Sequence, residues 1–270
     1  MLRTLRGLAT ASRGPRLQDV TIIGGGPAGI SLLAALKTSN TTRHLQCTLI
    51  ESTSLQNVRD FADLPPLEYT NRVVSLTPKS VEFMNNKIGS WKYMDEDRVK
   101  FYNNIIAYDG QDSDARIEFD SYEIQEDYIA VMAENINIQS SLLQTIEELD
   151  PEDAPEILDN TKVVKIELPE TSVTPPPTDL KSEPPTTSTE TALDWPIVHL
   201  SNGESIQTRL LVGADGYNSP VRHFAGISSR GWMYNRFGVV ATVKAADDDF
   251  RNVAWQRFLT TGPLANKFTL

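Results

Sequence analysis

Two hydrophobic periodicities alternate at the start of the chain. A short run rich in β-branched residues, 20–23, predicts a buried parallel strand. Helically spaced apolar residues after Pro27 predict a helix, since proline suits a first helical position. A second apolar run, 48–50, predicts another strand. Strand, helix and strand in this order indicate an α/β domain with a parallel sheet.

The pattern after residue 51 is mixed. Residues 52–71 have few periodic apolar positions, so we expect a loop. Residues 91–130 indicate a β-rich insertion with an Asp109-Gly110 turn, and not another helical crossover. The predicted helices are 79–88, which Thr77 can cap, and 129–149. The predicted strands are 99–102, 105–108, 117–119, 161–168, 197–200 and 206–212.

Three glycines follow the first strand with the G-x-G-x-x-G spacing. Gly24 permits a tight turn, Gly26 lets a pyrophosphate approach the backbone, and Gly29 lets the helix pack close to the strand. The N-terminus of the helix offers N–H groups and a positive dipole end to phosphates. The motif predicts a dinucleotide site, and the alternative is a glycine-rich turn without a ligand.

Glu51 ends the second strand, 22 residues beyond Gly29. A carboxylate at that distance can accept hydrogen bonds from a ribose diol. It also repels a 2′-phosphate, so the nucleotide is expected to be FAD or NAD and not NADP.

A second motif, Gly213-Ala214-Asp215-Gly216, ends a later strand. It brings a carboxylate to the edge of the sheet at which ligands bind in α/β folds. Arg72 can pair with a pyrophosphate, although a lone arginine is more often a surface residue.

Composition and charge exclude several kinds of partner and site, and they distinguish two segments from the rest of the chain. The net charge of −11 argues against nucleic acid as a partner. The single cysteine, Cys47, excludes a disulfide framework and a redox pair, and we expect it in the core. Residues 1–18 contain several arginines and no acid, which predicts a mitochondrial transit peptide, the alternative being a basic tail. Residues 169–194 are rich in Pro and Thr, which predicts a disordered insert.

The motifs together resemble the class A flavoprotein monooxygenases, the para-hydroxybenzoate-hydroxylase-like family. GGGPAG, the acid Glu51, Arg72 and GADGYNSPVR match that family in order and spacing. The chain is similar in particular to the members that act in mitochondrial ubiquinone biosynthesis. The stretches that carry this similarity are RVVSLTPKSVEF, AENINIQSSLL, GWMYNRFGVVATV and AWQRFLTTGP.

This resemblance implies a function and its partners. It implies an FAD-dependent enzyme that uses O2 to hydroxylate the ring of a polyprenylated 4-hydroxybenzoate-type phenol. It further implies electrons from a ferredoxin and ferredoxin reductase, membership of a ubiquinone-biosynthesis complex, and a matrix location with peripheral contact to the inner membrane.

The resemblance also implies site residues and a domain plan. Gly24, Gly26 and Gly29 would hold the FAD pyrophosphate and Glu51 the adenosine ribose, with Arg72 and Asp215 as further cofactor contacts. No catalytic residue is named and no metal site is expected. The expected FAD-binding domain, of Rossmann type, comprises 19–90, 131–168 and 195–230. It is interleaved with a β-rich substrate domain of 91–130 and 231–270.

The chain departs from the family near its end. It stops at Leu270, before the family's later Gly-Asp motif, so we expect an incomplete substrate domain and weak retention of FAD. One hypothesis is a monooxygenase of which this sequence is a fragment. The alternative is a short non-catalytic protein that acts as a partner in the biosynthetic complex. An NAD-dependent dehydrogenase is a third reading, which the GADG motif disfavours.

Overall fold

A computed structural model describes residues 14–112, 114–167, 195–243 and 252–266. The predicted insert 169–194 and residues 1–13 of the predicted transit peptide lie outside the described residues. In chain order, the strands are β1 (Arg16–Ile23), β2 (Cys47–Ile50), β3 (Val73–Leu76), β4 (Val99–Tyr102), β5 (Asn104–Asp109), β6 (Arg116–Asp120), β7 (Ala130–Glu134), β8 (Glu156–Leu158), β9 (Val163–Glu167), β10 (Ile197–Leu200), β11 (Ser205–Gly213), β12 (Val253–Leu259) and β13 (Gly262–Asn266).

Five α-helices of the described residues lie between these strands. The α-helices are α1 (Pro27–Thr38), α2 (Gln56–Asp63), α3 (Pro78–Glu82), α4 (Asn135–Glu147) and α5 (Pro220–Phe224). A π-helical segment, Phe83–Ile88, continues α3. Among the described residues, no helix combines the length and the apolar character that crossing a membrane requires.

The largest sheet has six strands in the order β8-β2-β1-β11-β10-β9. β8, β2, β1 and β11 run parallel, whereas β10 and β9 are antiparallel to their neighbours. Ile23 of β1 lies beside Ile50 of β2 and beside Gly213 of β11, so three parallel strands end at the same level. This register places the residues that follow them at one edge of the sheet. The α/β class expected from the sequence is confirmed.

The main core lies between this sheet and two long helices. α1 and α4 pack against each other, and α2 packs against α4. Ile22 and Leu49 of the sheet are fully buried with Leu33 of α1 and Leu142 of α4. Burying each of these side chains contributes about 1.5–3 kcal/mol relative to leaving it exposed. α1 is therefore held firmly behind the glycine turn that precedes it.

Two smaller sheets complete the described fold. β7 lies between β3 and β4 in an antiparallel sheet, and the other sheet has the order β13-β12-β5-β6. β4, which the sequence places in the β-rich insertion, therefore pairs with β7 and not with β5 or β6. The division into an FAD-binding and a substrate domain stays a prediction.

The structure corrects two predicted elements. The predicted loop 52–71 contains α2, because Leu55, Val58 and Phe61 are spaced three apart and buried together on one helical face. The predicted helix 129–149 is a strand, β7, followed by a helix, α4. β7 is apolar and pairs on both sides, so tertiary pairing outweighs its helical spacing.

The first strand is also longer than predicted. β1 begins at Arg16, and Arg16–Gln18 pair with β11, so the strand overlaps the end of the predicted transit peptide. The predicted cap of the helix after Thr77 is confirmed, since the Ser80 amide donates to Thr77 Oγ1 at 3.4 Å.

Candidate functional site

Three strand ends bring the predicted motifs together. The Gly24 amide after β1 donates to the Ile50 carbonyl of β2 at 2.8 Å. On the other side, the Ala214 amide after β11 donates to the Ile23 carbonyl at 2.7 Å. The glycine turn therefore lies between Glu51 and Asp215 at the carboxyl edge of the sheet, the usual place for ligands in α/β folds.

Two of the glycines are required by close packing. A Cβ atom on Gly24, whose φ is +112°, would lie 2.3 Å from the Ala214 carbonyl oxygen. A Cβ atom on Gly29 would lie 1.9 Å from the Gly24 carbonyl oxygen. The tight turn and the close helix packing predicted for these positions are confirmed. Their contact with a cofactor stays a prediction.

Gly26 faces open space instead. It is the N-cap of α1, with φ −73° and ψ 177°, and a Cβ atom there would meet nothing within 4 Å. Gly26 lines a cavity of about 650 Å³. The other lining residues are Gly25, Glu51, Thr53, Ser54, Leu55, Gln56, Asn57, Val58 and Gln139. An anionic group in this cavity would meet the N-terminus of a helix, with its free amides and its positive dipole end.

Gly25, which the sequence analysis passed over, holds the carboxylate of Glu51. Its amide donates to Glu51 Oε2 at 2.6 Å. A Cβ atom on Gly25 would lie 2.9 Å from both Cβ and Cγ of Glu51. The middle one of the three consecutive glycines, Gly25, is therefore also required, because only glycine lets the Glu51 carboxylate approach the turn.

The other carboxylate oxygen of Glu51 is saturated. Oε1 accepts from the Thr53 amide and the Thr53 hydroxyl, both at 2.8 Å, and from the Ser52 hydroxyl at 3.2 Å. Burial by itself raises the pKa of Glu51, but the hydrogen bonds from Gly25, Thr53 and Ser52 outweigh it and hold the pKa below its usual range. Glu51 is thus a fixed anion whose Oε2 keeps acceptor capacity for a ligand hydroxyl.

Gln139 is a second residue that the sequence analysis did not single out. Its Nε2 donates to the Gly25 carbonyl at 2.8 Å and ties α4 to the glycine turn. The only sequence signal for it was its place on a predicted helix, which does not indicate what the side chain contacts. Residues 53–58 also line the cavity, and the loop expected over 52–71 gives no indication of this.

Arg72 and Asp215 are not among the residues that line the cavity. Arg72 precedes β3 and is exposed, and its carbonyl accepts from the Asn135 amide at the start of α4 at 2.9 Å. Asp215 lies beside the glycine turn, and its Oδ2 accepts from the Val221 amide at 2.9 Å. Its Oδ1 is buried and has no hydrogen-bond partner in the described part of the chain.

These features fit a bound dinucleotide. The space at Gly26 is free of protein, and a buried carboxylate oxygen beside the turn is left for a further donor. Buried polar atoms in proteins are nearly always paired, so Oδ1 of Asp215 points to a hydroxyl or water partner. Glu51, Gly25 and Gly26 would face the ribose and the phosphates.

Comparisons with known proteins agree with this geometry. A family model described as "FAD binding domain" matches residues 18–268. The chain is 44% identical over 265 residues to the "Ubiquinone biosynthesis monooxygenase COQ6, mitochondrial" of Saccharomyces cerevisiae, covering 97% of this chain and 50% of that protein. It is 34% identical to the protein of the same name from Xenopus tropicalis, covering 98% of this chain and 52% of that protein. The chain thus spans about half the length of these curated relatives.

Solved structures show the same fold. PqsL of Pseudomonas aeruginosa, described as a probable FAD-dependent monooxygenase, superposes with a TM-score of 0.54 at 16% identity, covering 81% of this chain and 48% of that one. The p-nitrophenol 4-monooxygenase PnpA of Pseudomonas putida gives a TM-score of 0.55 at 16% identity, covering 81% and 46%. At this identity the likeness concerns the fold alone. Since the family model covers almost the whole chain, the chain belongs to the FAD binding domain family, and FAD is its cofactor.

Proposed function

We propose that the protein acts as a flavin-dependent monooxygenase of ubiquinone biosynthesis, hydroxylating the aromatic ring of a polyprenylated 4-hydroxybenzoate-type intermediate. The observation that carries the proposal is the 44% identity to yeast COQ6 across 97% of this chain. The geometry supports it, because the cavity at Gly26 and the fixed carboxylate of Glu51 suit the adenosine and pyrophosphate part of FAD.

Each residue of the site has a proposed task. Gly24 and Gly29 keep the turn tight, the α1 amides near Gly26 bind the pyrophosphate, and Glu51 accepts hydrogen bonds from the adenosine ribose. Arg72 and Asp215 are proposed as further cofactor contacts. Bound and reduced FAD supplies the reaction with O2 that delivers one oxygen atom to the ring, while this chain holds and orients the cofactor.

The location and the partners are part of the proposal. Both relatives reported above are named as mitochondrial proteins, which supports a mitochondrial location. A polyprenylated substrate dissolves in lipid, so we further propose peripheral contact with the matrix side of the inner membrane. A ferredoxin with its reductase as electron donor and membership of a ubiquinone-biosynthesis complex follow from the family resemblance. The enzyme names of the relatives favour this reading over a non-catalytic partner protein.

The test is genetic and chemical. The gene is deleted in the source organism, or replaced by an allele with Glu51→Arg, and lipid extracts are analysed by mass spectrometry after growth under ¹⁸O2. We expect the unhydroxylated polyprenylated phenol to accumulate in both strains and ring-bound ¹⁸O in ubiquinone to fall. The matched control is Glu204→Arg, because Glu204 is an exposed acid outside the cavity lining. Normal ubiquinone with normal ¹⁸O content in the deletion strain would refute the proposal.

A further inference from the structure

A buried ion pair lies outside the cavity lining. Arg98 Nε and Glu134 Oε2 are 2.6 Å apart, and the exposed fractions of the two side chains are 6% and 1%. Removing two charges from water costs several kcal/mol per ion, and a buried pair often gives no net stability in return. Such a pair therefore calls for a reason beyond the stability of the core.

The pair holds a segment that has no secondary structure of its own. Arg98 Nη1 donates to the Pro66 carbonyl at 2.7 Å, and Nη2 donates to the Glu68 carbonyl at 3.1 Å. The guanidinium also lies 4.2 Å from the centre of the Tyr69 ring. On the other side, Glu134 Oε1 accepts from the amide of Thr70. Three of the four peptide units that join residues 66 to 70 are thus hydrogen-bonded to the side chains of Arg98 and Glu134.

Segment 66–70 leads directly to Arg72. The Arg72 carbonyl accepts from the Asn135 amide, so the chain is fixed to the start of α4 immediately after it leaves the pair. Glu134 is the N-cap residue of α4, the helix whose Gln139 bonds to Gly25 of the glycine turn. The same helix therefore positions both the turn and the backbone that carries Arg72.

We propose that Arg98 and Glu134 are positioning residues for the cofactor site, which fix segment 66–70 and so set the backbone from which Arg72 reaches the FAD pyrophosphate. The inference rests on the proposed function, because it takes Arg72 as a cofactor contact. Arginine suits the task and lysine does not, since only a guanidinium donates in several fixed directions from one plane.

A double-mutant cycle tests the coupling between Arg98 and Arg72. FAD binding to the full chain is followed by quenching of flavin fluorescence in Arg98→Lys, Arg72→Ala and the double variant. We expect each single variant to weaken binding about tenfold, and the double variant to bind no more weakly than Arg72→Ala alone. A purely structural role of Arg98 would instead make the two losses multiply.

Hydrogen exchange provides a readout that needs no cofactor. In the FAD-free protein we expect the peptide over 64–72 to exchange faster in Arg98→Lys, while peptides from β1 and α1 are unchanged. Tyr69→Leu, which removes the covering ring and keeps the hydrogen bonds, should give a smaller change in the same direction. Arg16→Lys is the matched control, because Arg16 forms an exposed pair with Glu156 in the large sheet.

The outcomes separate the two proposals. Unchanged FAD affinity in Arg72→Ala would overturn the cofactor role of Arg72, and the inference with it. A tenfold loss in Arg72→Ala with none in Arg98→Lys, or with multiplying losses, would overturn the inference alone. Should Arg98→Lys fail to fold, Tyr69→Leu takes its place in the cycle, and unchanged exchange and affinity in that variant would overturn the inference.

Discussion

Gly26→Ala separates cofactor binding from folding more cleanly than any other change at the site. Gly26 lines the cavity, and the new methyl group would meet no protein atom within 4 Å. We expect the FAD-free protein to keep its fold and its stability, and FAD to bind about 5-fold to 160-fold more weakly.

The expected stability change is small because two effects oppose each other. The backbone at Gly26, with φ −73° and ψ 177°, is allowed for alanine. Alanine is a poorer N-cap than glycine by about 0.5–1 kcal/mol. Replacing glycine also restricts the unfolded chain, which contributes about 0.4–1 kcal/mol in the other direction. The net change in the free energy of unfolding should therefore lie within about 0.5 kcal/mol of zero. The loss of FAD affinity follows from a methyl group in space that the phosphates need, and overpacking of this kind costs about 1–3 kcal/mol.

Gly29→Ala is the matched contrast in the same motif. Its Cβ would lie 1.9 Å from the Gly24 carbonyl oxygen, which is a clash with a backbone atom. α1 has to move away from the turn, so we expect the free energy of unfolding to fall by about 2 kcal/mol, even after the gain of about 0.5–1 kcal/mol in helix propensity.

The assay combines urea unfolding of FAD-free protein with a fluorescence titration of FAD for each variant. Two results would refute the reasoning. One is a Gly26→Ala protein that binds FAD as tightly as the wild type, which would mean that the phosphates do not approach this position. The other is a Gly29→Ala protein of wild-type stability, which would mean that α1 is not packed against the turn as described.

Three further predictions concern single side chains. Because hydrogen bonds hold the pKa of Glu51 below its usual range, its contribution to stability is present above the ordinary glutamate pKa of about 4.3 and is lost as the pH falls through the folded-state pKa. Glu51→Gln should thus destabilise the FAD-free protein by about 1–2 kcal/mol at pH 7 and by less near pH 3, as measured by urea unfolding at both pH values. Burial raises the pKa of the Cys47 thiol, so iodoacetamide should label the native protein far more slowly than the unfolded protein, and equal rates at pH 7 would contradict this. Gln139→Leu removes the bond to the Gly25 carbonyl and should cost about 1 kcal/mol of stability together with some FAD affinity, whereas an unchanged titration would show that Gln139 does not help to hold the turn.

The glycine turn could be predicted because its signals are local. A strand, three spaced glycines and a helix lie within twenty residues, and close packing requires glycine at Gly24 and Gly29. Glu51 and Asp215 could be placed near the turn because parallel strands end at one edge of a sheet, and the structure shows that arrangement. The bond from Gly25 to Glu51 could not be predicted, since it joins residues that are 26 positions apart in the sequence.

The boundary between β7 and α4 shows a different limit. Ala130–Glu134 and the following helix are both apolar enough to be buried, and a short apolar run does not tell a strand from a buried helical turn. Pairing with β3 and β4 decides the matter, and those strands lie some thirty to sixty residues earlier in the chain. The apolar spacing over 129–149 therefore belongs to two elements, a strand and a helix, that both contribute side chains to the core.

Arg98 is a further residue whose position could not be predicted from the sequence. In the sequence it ends the charged run Asp95-Glu96-Asp97-Arg98, which is typical of a solvated turn. In the structure it is buried, because Glu134, 36 residues later, and the carbonyls of the segment some thirty residues earlier meet its guanidinium together. A charged side chain can be buried only when its hydrogen-bonding partners surround it. The partners of Arg98 come from distant parts of the chain, and the sequence patterns of those parts do not indicate the contact. The residues proposed to contact the cofactor can thus be identified from local motifs, whereas the residues that hold those motifs in place follow only from the folded arrangement.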